Sequence, residues 1–162
     1  MLSVLMFALL AADAPGTTWP AFEVDTLAGA KLKLPSAASG QVSLFVMSFS
    51  KDASAASKAW AERFARDGGH VYIAAILEAA PRLVRGLIRS GMRGDIPKEL
   101  HERTLLLYNG EAEWKQRTGF QPGTAAQPYL ILLDRQGRVR WQQHCAFDAQ
   151  AYAELRKLAA SL

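Results

Sequence analysis

The chain has 162 residues, half of them hydrophobic and 21% charged, with a formal net charge of +4; that fits one domain with a core of its own and excludes a disordered tail, a collagen-like fibre and a disulfide-stapled mini-protein. The basic excess is mild and contains no run of five or six basic side chains, so no nucleic-acid partner is expected. One cysteine, Cys145, excludes an intramolecular disulfide, a dithiol redox centre and a cysteine-rich zinc site.

Residues 1–14 form an apolar segment. It reads LSVLMFALLAA from Leu2 to Ala12, short of the roughly 20 residues that cross a bilayer. It reads as an export signal with Leu5 to Leu10 as its apolar core, although the first basic side chain is Lys31. The first 30 residues hold no arginine, which excludes an Arg-rich mitochondrial transit peptide. Export to a periplasmic or membrane-associated place is the expectation. An apolar tail packed on the domain, and a place at the cytoplasmic face of a membrane, are the alternatives.

A single domain is expected over residues 19–162. Phe22-Glu23-Val24 and Lys31-Leu32-Lys33-Leu34 alternate about the turn Ala28-Gly29-Ala30 and predict a hairpin. Val42 to Phe49 is a continuous apolar run of strand length, the mark of a strand buried on both faces. A helix follows over Ser54 to Arg66, ended by Asp67-Gly68-Gly69. His70 to Leu77 is a second buried strand. Pro81 opens the next helix, with Leu83, Val84, Leu87 and Ile88 as its expected inward stripe. Thr104 to Tyr108 is a strand, Glu111 to Thr118 a short helix, and Tyr129 to Leu133 with Arg138 to Gln142 a closing hairpin. Ala149 to Leu162 is a terminal amphipathic helix. Strands alternating with helices, then a hairpin and a helix, predict an α/β sandwich with a mixed central sheet flanked by helices.

The entry hairpin around LAGAKLKLP, leading to a buried strand, resembles that of the peroxiredoxin and membrane-anchored thioredoxin families. The resemblance implies a thioredoxin-like fold. It places the families' CxxC slot on Ser54-Ala55-Ala56-Ser57 and their cis-proline on Pro128, after Gln127 and just ahead of YLILLDRQGRVRW. Serines in both thiol positions leave no group that a helix N-terminus could turn into a thiolate. Ser54 and Ser57 are expected to serve as helix caps, and His70, His101 and His144 give no sign of a Ser-His-acid site. No catalytic residue, metal ligand or cofactor is therefore expected. The alternative is a thiol-dependent peroxidase or oxidoreductase using the lone Cys145.

A narrower likeness covers the C-terminal two thirds. SGMRGDIPKELHERT followed by YLILLDRQGRVRW is similar to the family named as subunit ten of the mitochondrial ATPase complex, with its arginine-tryptophan signature at Arg140-Trp141. This implies a bacterial relative of an assembly factor, chaperoning a protein client such as a membrane subunit of ATP synthase. A partner surface is also read from the helix opened by Pro81. Arg82, Arg85, Arg89 and Arg93 follow at spacings of three, four and four, so they share one face suited to an anionic membrane surface or an acidic client.

Overall fold

A computed structural model describes residues 12–162. Residues 1–11, on which the export reading mostly rests, lie outside the described residues. Strand β3 (Ser43–Ser48) runs through the centre. Successive side chains on a strand point to opposite faces, so Phe45 and Met47 enter one core while Leu44 and Val46 enter the other. Both faces are covered, which is why this strand reads as an unbroken apolar run.

On one side β3 pairs parallel with β4 (His70–Ile76), which pairs parallel with β5 (Thr104–Leu107). On the other it pairs antiparallel with β6 (Tyr129–Leu133), and β6 turns back into β7 (Val139–His144). The N-terminal hairpin of β1 (Phe22–Thr26) and β2 (Lys31–Leu34) joins the far edge through β5. The mixed sheet therefore runs β2-β1-β5-β4-β3-β6-β7. Trp60 and Phe64 of α1 (Ser54–Arg66) and Tyr152 and Leu155 of α4 (Ala149–Ala160) cover one face. Trp114 of α3 (Glu111–Thr118), Trp19 and Tyr129 build the core on the other. Among the described residues, no helix is long and apolar enough to cross a membrane.

Residues just ahead of Trp19 belong to this body. The Asp13 carboxylate pairs with Arg117 at 3.1 Å, and the Asp13 N–H donates to the Arg117 carbonyl at 2.8 Å. Gly16 and Thr17 exchange backbone hydrogen bonds with Val139, so the segment lies along β7. Trp19 then inserts beside Phe45 and Trp114, at 5.9 and 5.5 Å between ring centroids.

Helix α2 (Arg82–Asp95) turns three of its four expected inward residues outward, while Ile88 is half-buried. Leu83 is 98% exposed, Leu87 77% and Val84 39%, and no residue of the helix is buried. The domain is met instead by the arginine side of the helix. Arg85 lies over the Tyr108 ring at 4.5 Å and donates to the Ala80 carbonyl at 3.0 Å. Arg89 reaches the Tyr108 hydroxyl at 3.4 Å, and Arg93 donates through Nε and Nη2 to the Leu27 carbonyl at 3.0 and 2.9 Å. Periodicity states which residues share a face, not which face turns inward. Here free carbonyls and an aromatic ring hold the guanidinium forks, leaving the apolar stripe outside.

Candidate functional site

The thiol slot of the resembled families lies where β3 feeds α1. After Ser48 the chain passes through Phe49 and the extended Ser50 into a single 3-10 turn, Lys51–Ala53, and this runs directly into α1. Helical geometry thus begins at Lys51, and Ser54 stands behind that first turn. Ala53 occupies the N-cap position of α1 without a side-chain cap. The expectation that Ser54 and Ser57 cap the helix is corrected: Ser54 is exposed, and Ser57 is buried and bonds backwards.

The Ser57 hydroxyl donates to the Ala53 carbonyl at 2.9 Å and lies 2.6 Å from the Ser48 hydroxyl. A hydroxyl has one proton to give. With Ser57's committed to Ala53, Ser48 is the donor to Ser57. Activating a serine requires a base to receive its proton, and the histidines are engaged elsewhere. His70 Nδ1 lies 2.9 Å from the Ser43 hydroxyl, His101 Nε2 2.9 Å from the Ile96 carbonyl, and His144 Nδ1 3.0 Å from the Gln127 amide oxygen. The two hydroxyls and the Ala53 carbonyl form a closed chain of hydrogen bonds.

The loop facing this slot is tied down by a ring of hydrogen bonds. The Gln121 N–H donates to the Tyr129 hydroxyl at 3.0 Å, and Thr124 donates to the Gln121 carbonyl at 3.0 Å. The Tyr129 proton is left for the Thr124 oxygen, 2.5 Å away. Ser50 joins the two halves by donating to the Ala125 carbonyl at 2.8 Å. Phe49 packs on Phe120 and Tyr129, with centroids at 4.8 and 5.4 Å. The reversal before β6 is made by a 3-10 turn over Pro122–Thr124 and the Gln127 N–H to Thr124 carbonyl bond. The chain enters β6 through a trans Gln127-Pro128 bond, which corrects the cis-proline expectation for Pro128; among the described residues the cis peptide bond is Leu34-Pro35.

The remaining expected residues have structural partners. Arg140 pairs with Asp134 at 2.7 Å. Burial pushes the Asp134 carboxyl up, and the N–H groups of Arg138 and Gln136 with the Arg140 guanidinium more than reverse that, holding it below its ordinary value. Trp141 and Cys145 each pack half-buried on the α1–α4 core, and the Cys145 carbonyl accepts from Trp60 Nε1 at 3.2 Å. Burial, and secondly the Asp148 charge, push the Cys145 thiol up, away from the thiolate that reactive cysteines need. Sequence reasoning missed Ser48 and the Tyr129–Thr124–Gln121 ring. Ser48 left one signal, a hydroxyl at the end of an apolar run.

No protein-family model matches the chain, and no curated protein sequence matches it. Solved structures do. A putative thiol:disulfide interchange protein DsbE from Chlorobium tepidum is 19% identical, superposes with a TM-score of 0.64, and is matched over 93% of this chain and 98% of its own. BsSco, of the Sco family of cytochrome c oxidase assembly proteins, is 12% identical with a TM-score of 0.64, over 93% and 96%. The exposed lipoprotein thioredoxin Etrx1 of Streptococcus pneumoniae is 12% identical with a TM-score of 0.63, over 88% and 100%. Likeness at such low identity speaks to architecture alone, and by architecture this chain has the thioredoxin-like fold.

Proposed function

We propose that the chain is a redox-inactive thioredoxin-like protein that binds a protein client, in the manner of an assembly factor for a membrane complex. The observation that supports the reading is Ser57, one of the two thiol positions implied by the resemblance, whose hydroxyl proton is committed to the Ala53 carbonyl and whose oxygen meets Ser48. Support for assembly comes from the likeness to BsSco, whose family is named for the assembly of cytochrome c oxidase. The finer reading, an ATP synthase membrane subunit as client, rests on SGMRGDIPKELHERT and the Arg140-Trp141 signature. Export is part of the proposal, supported by the apolar N-terminal segment and by the likeness to an exposed lipoprotein.

Two measurements test it. The purified protein is expected neither to reduce insulin nor to consume hydrogen peroxide above buffer, and Cys145→Ala is expected to change neither result. Peroxide turnover abolished by Cys145→Ala would replace this reading with a lone-thiol peroxidase. Photocrosslinking in membranes of the native host is expected to recover subunits of a membrane complex. Recovery of ATP synthase subunits would support the finer reading, and recovery of another complex would overturn it.

A further inference from the structure

We propose that α2 is an interfacial helix that lays Leu83 and Leu87 into the headgroup boundary of an anionic lipid bilayer. The inference goes beyond the client-binding reading and does not depend on it. Its first observation is the outward stripe. Leu83 and Leu87 sit one turn apart on the face turned away from the domain, 98% and 77% exposed, with Val84 beside them. Soluble surfaces hold scattered apolar residues without meaning, but Leu83, Leu87 and Val84 adjoin on one helix face, and contiguous exposed apolar patches are the ones that dock.

The second observation is charge. Arg82, Arg85, Arg89 and Arg93 lie within twelve residues that contain no acid, and Asp95 closes the helix. Among the described residues none of these four arginines forms a salt bridge. Arg85, Arg89 and Arg93 reach carbonyls, a hydroxyl and a ring, which are neutral groups. Their positive charge is held in place without being cancelled. Helical spacing puts Arg82 and Arg93 along one flank of the leucine stripe. With the leucines lowered into the boundary, the exposed head of Arg82 is the one placed to reach lipid phosphates, while Arg93, fixed on the Leu27 carbonyl, adds its charge from behind.

Charge chooses the occupant. A second copy seated on the same stripe would set against each other two helices that each carry four guanidinium groups and one carboxylate, and their like net charges repel. An anionic surface is attracted by the same charges, and lipid accepts projecting side chains without needing a shaped pocket.

The test uses the full chain and two kinds of vesicle, phosphatidylcholine alone and phosphatidylcholine with about one third phosphatidylglycerol. Wild type is expected to co-sediment with the anionic vesicles about tenfold more strongly than with the neutral ones, and added salt should weaken that binding. Leu83→Gln with Leu87→Gln is expected to lose about tenfold or more of the binding. Unchanged circular dichroism in the double variant confirms that it is folded. Absence of wild-type binding, or equal binding by the double variant, would overturn the proposal. So would a wild-type dimer that the double variant dissolves, because a second copy would then cover the stripe. Capture by soluble polyglutamate without capture by vesicles would likewise overturn it, assigning the charge to an acidic protein.

Discussion

The hydroxyl oxygens of Ser48 and Ser57 lie 2.6 Å apart, and the Ala53 carbonyl fixes which of them gives the proton. Removing Ser57 alone leaves the Ser48 hydroxyl and the Ala53 carbonyl without that partner, which costs about 1–3 kcal/mol. Removing both hydroxyls takes away the donor together with its acceptor. Ser57→Ala is therefore expected to lower the urea midpoint more than Ser48→Ala added on top of it does. A double-mutant cycle with no coupling would show that the two hydroxyls act independently.

Tyr129→Phe opens the ring that runs through Gln121 and Thr124. The Gln121 N–H and the Thr124 oxygen lose a partner, and the expected loss is about 1–2 kcal/mol in denaturant unfolding. Hydrogen exchange gives the finer readout: protection of the Gln121 amide should fall more than that of amides in β3. Equal effects in both places would assign the loss to general packing.

Stability should fall on mild acidification because of His70. Burial, and secondly the Arg103 charge, hold its imidazole below the ordinary 6.5. The unfolded chain then takes up a proton at a higher pH than the folded one does. The stabilisation is present above pH 6.5 and is lost as pH drops toward the folded value. Between about pH 7 and pH 5 the urea midpoint of wild type should decline more steeply than that of His70→Asn. Parallel declines would remove His70 as the cause.

Arg93 holds the last turn of α2 to the Leu27 carbonyl with two donors, a fork that lysine does not reproduce. Arg93→Lys is expected to keep the charge yet loosen the helix, so that trypsin cuts faster after Arg85 and Arg89 while the rest of the domain resists. An unchanged cleavage rate would mean that other contacts seat the helix.

Local pattern carried much of the fold. The bounds of α1 and α3 follow from apolar spacing and from the glycines that end each helix, and the structure places them at Ser54–Arg66 and Glu111–Thr118 as expected. Orientation was beyond reach for α2. Both of its faces have something to offer a protein surface, and the choice was made largely by the Leu27 carbonyl and Tyr108, which the tertiary fold brings to the helix, with the Ala80 carbonyl just ahead of it. The trans bond at Pro128 was not legible either, because an X-Pro sequence is compatible with both isomers. The absence of cysteine from Ser54 to Ser57 was plain in the residues. That Ser57 turns inward to Ser48, rather than capping its helix, needed β3 beside it.

The segment from Asp13 to Trp19 makes the front of the domain mechanically stiff. A pull applied at Ala12 would run along β7 and load the Gly16–Val139 and Thr17–Val139 backbone bonds in shear, with the Asp13–Arg117 pair in parallel. Bonds loaded in shear share the force, whereas a peeled strand breaks one bond at a time. Behind them Trp19 is wedged between Phe45 and Trp114, so the leash could not be drawn out without pulling a ring from the core. Tension at this end would therefore act on the whole body before it unravelled the segment.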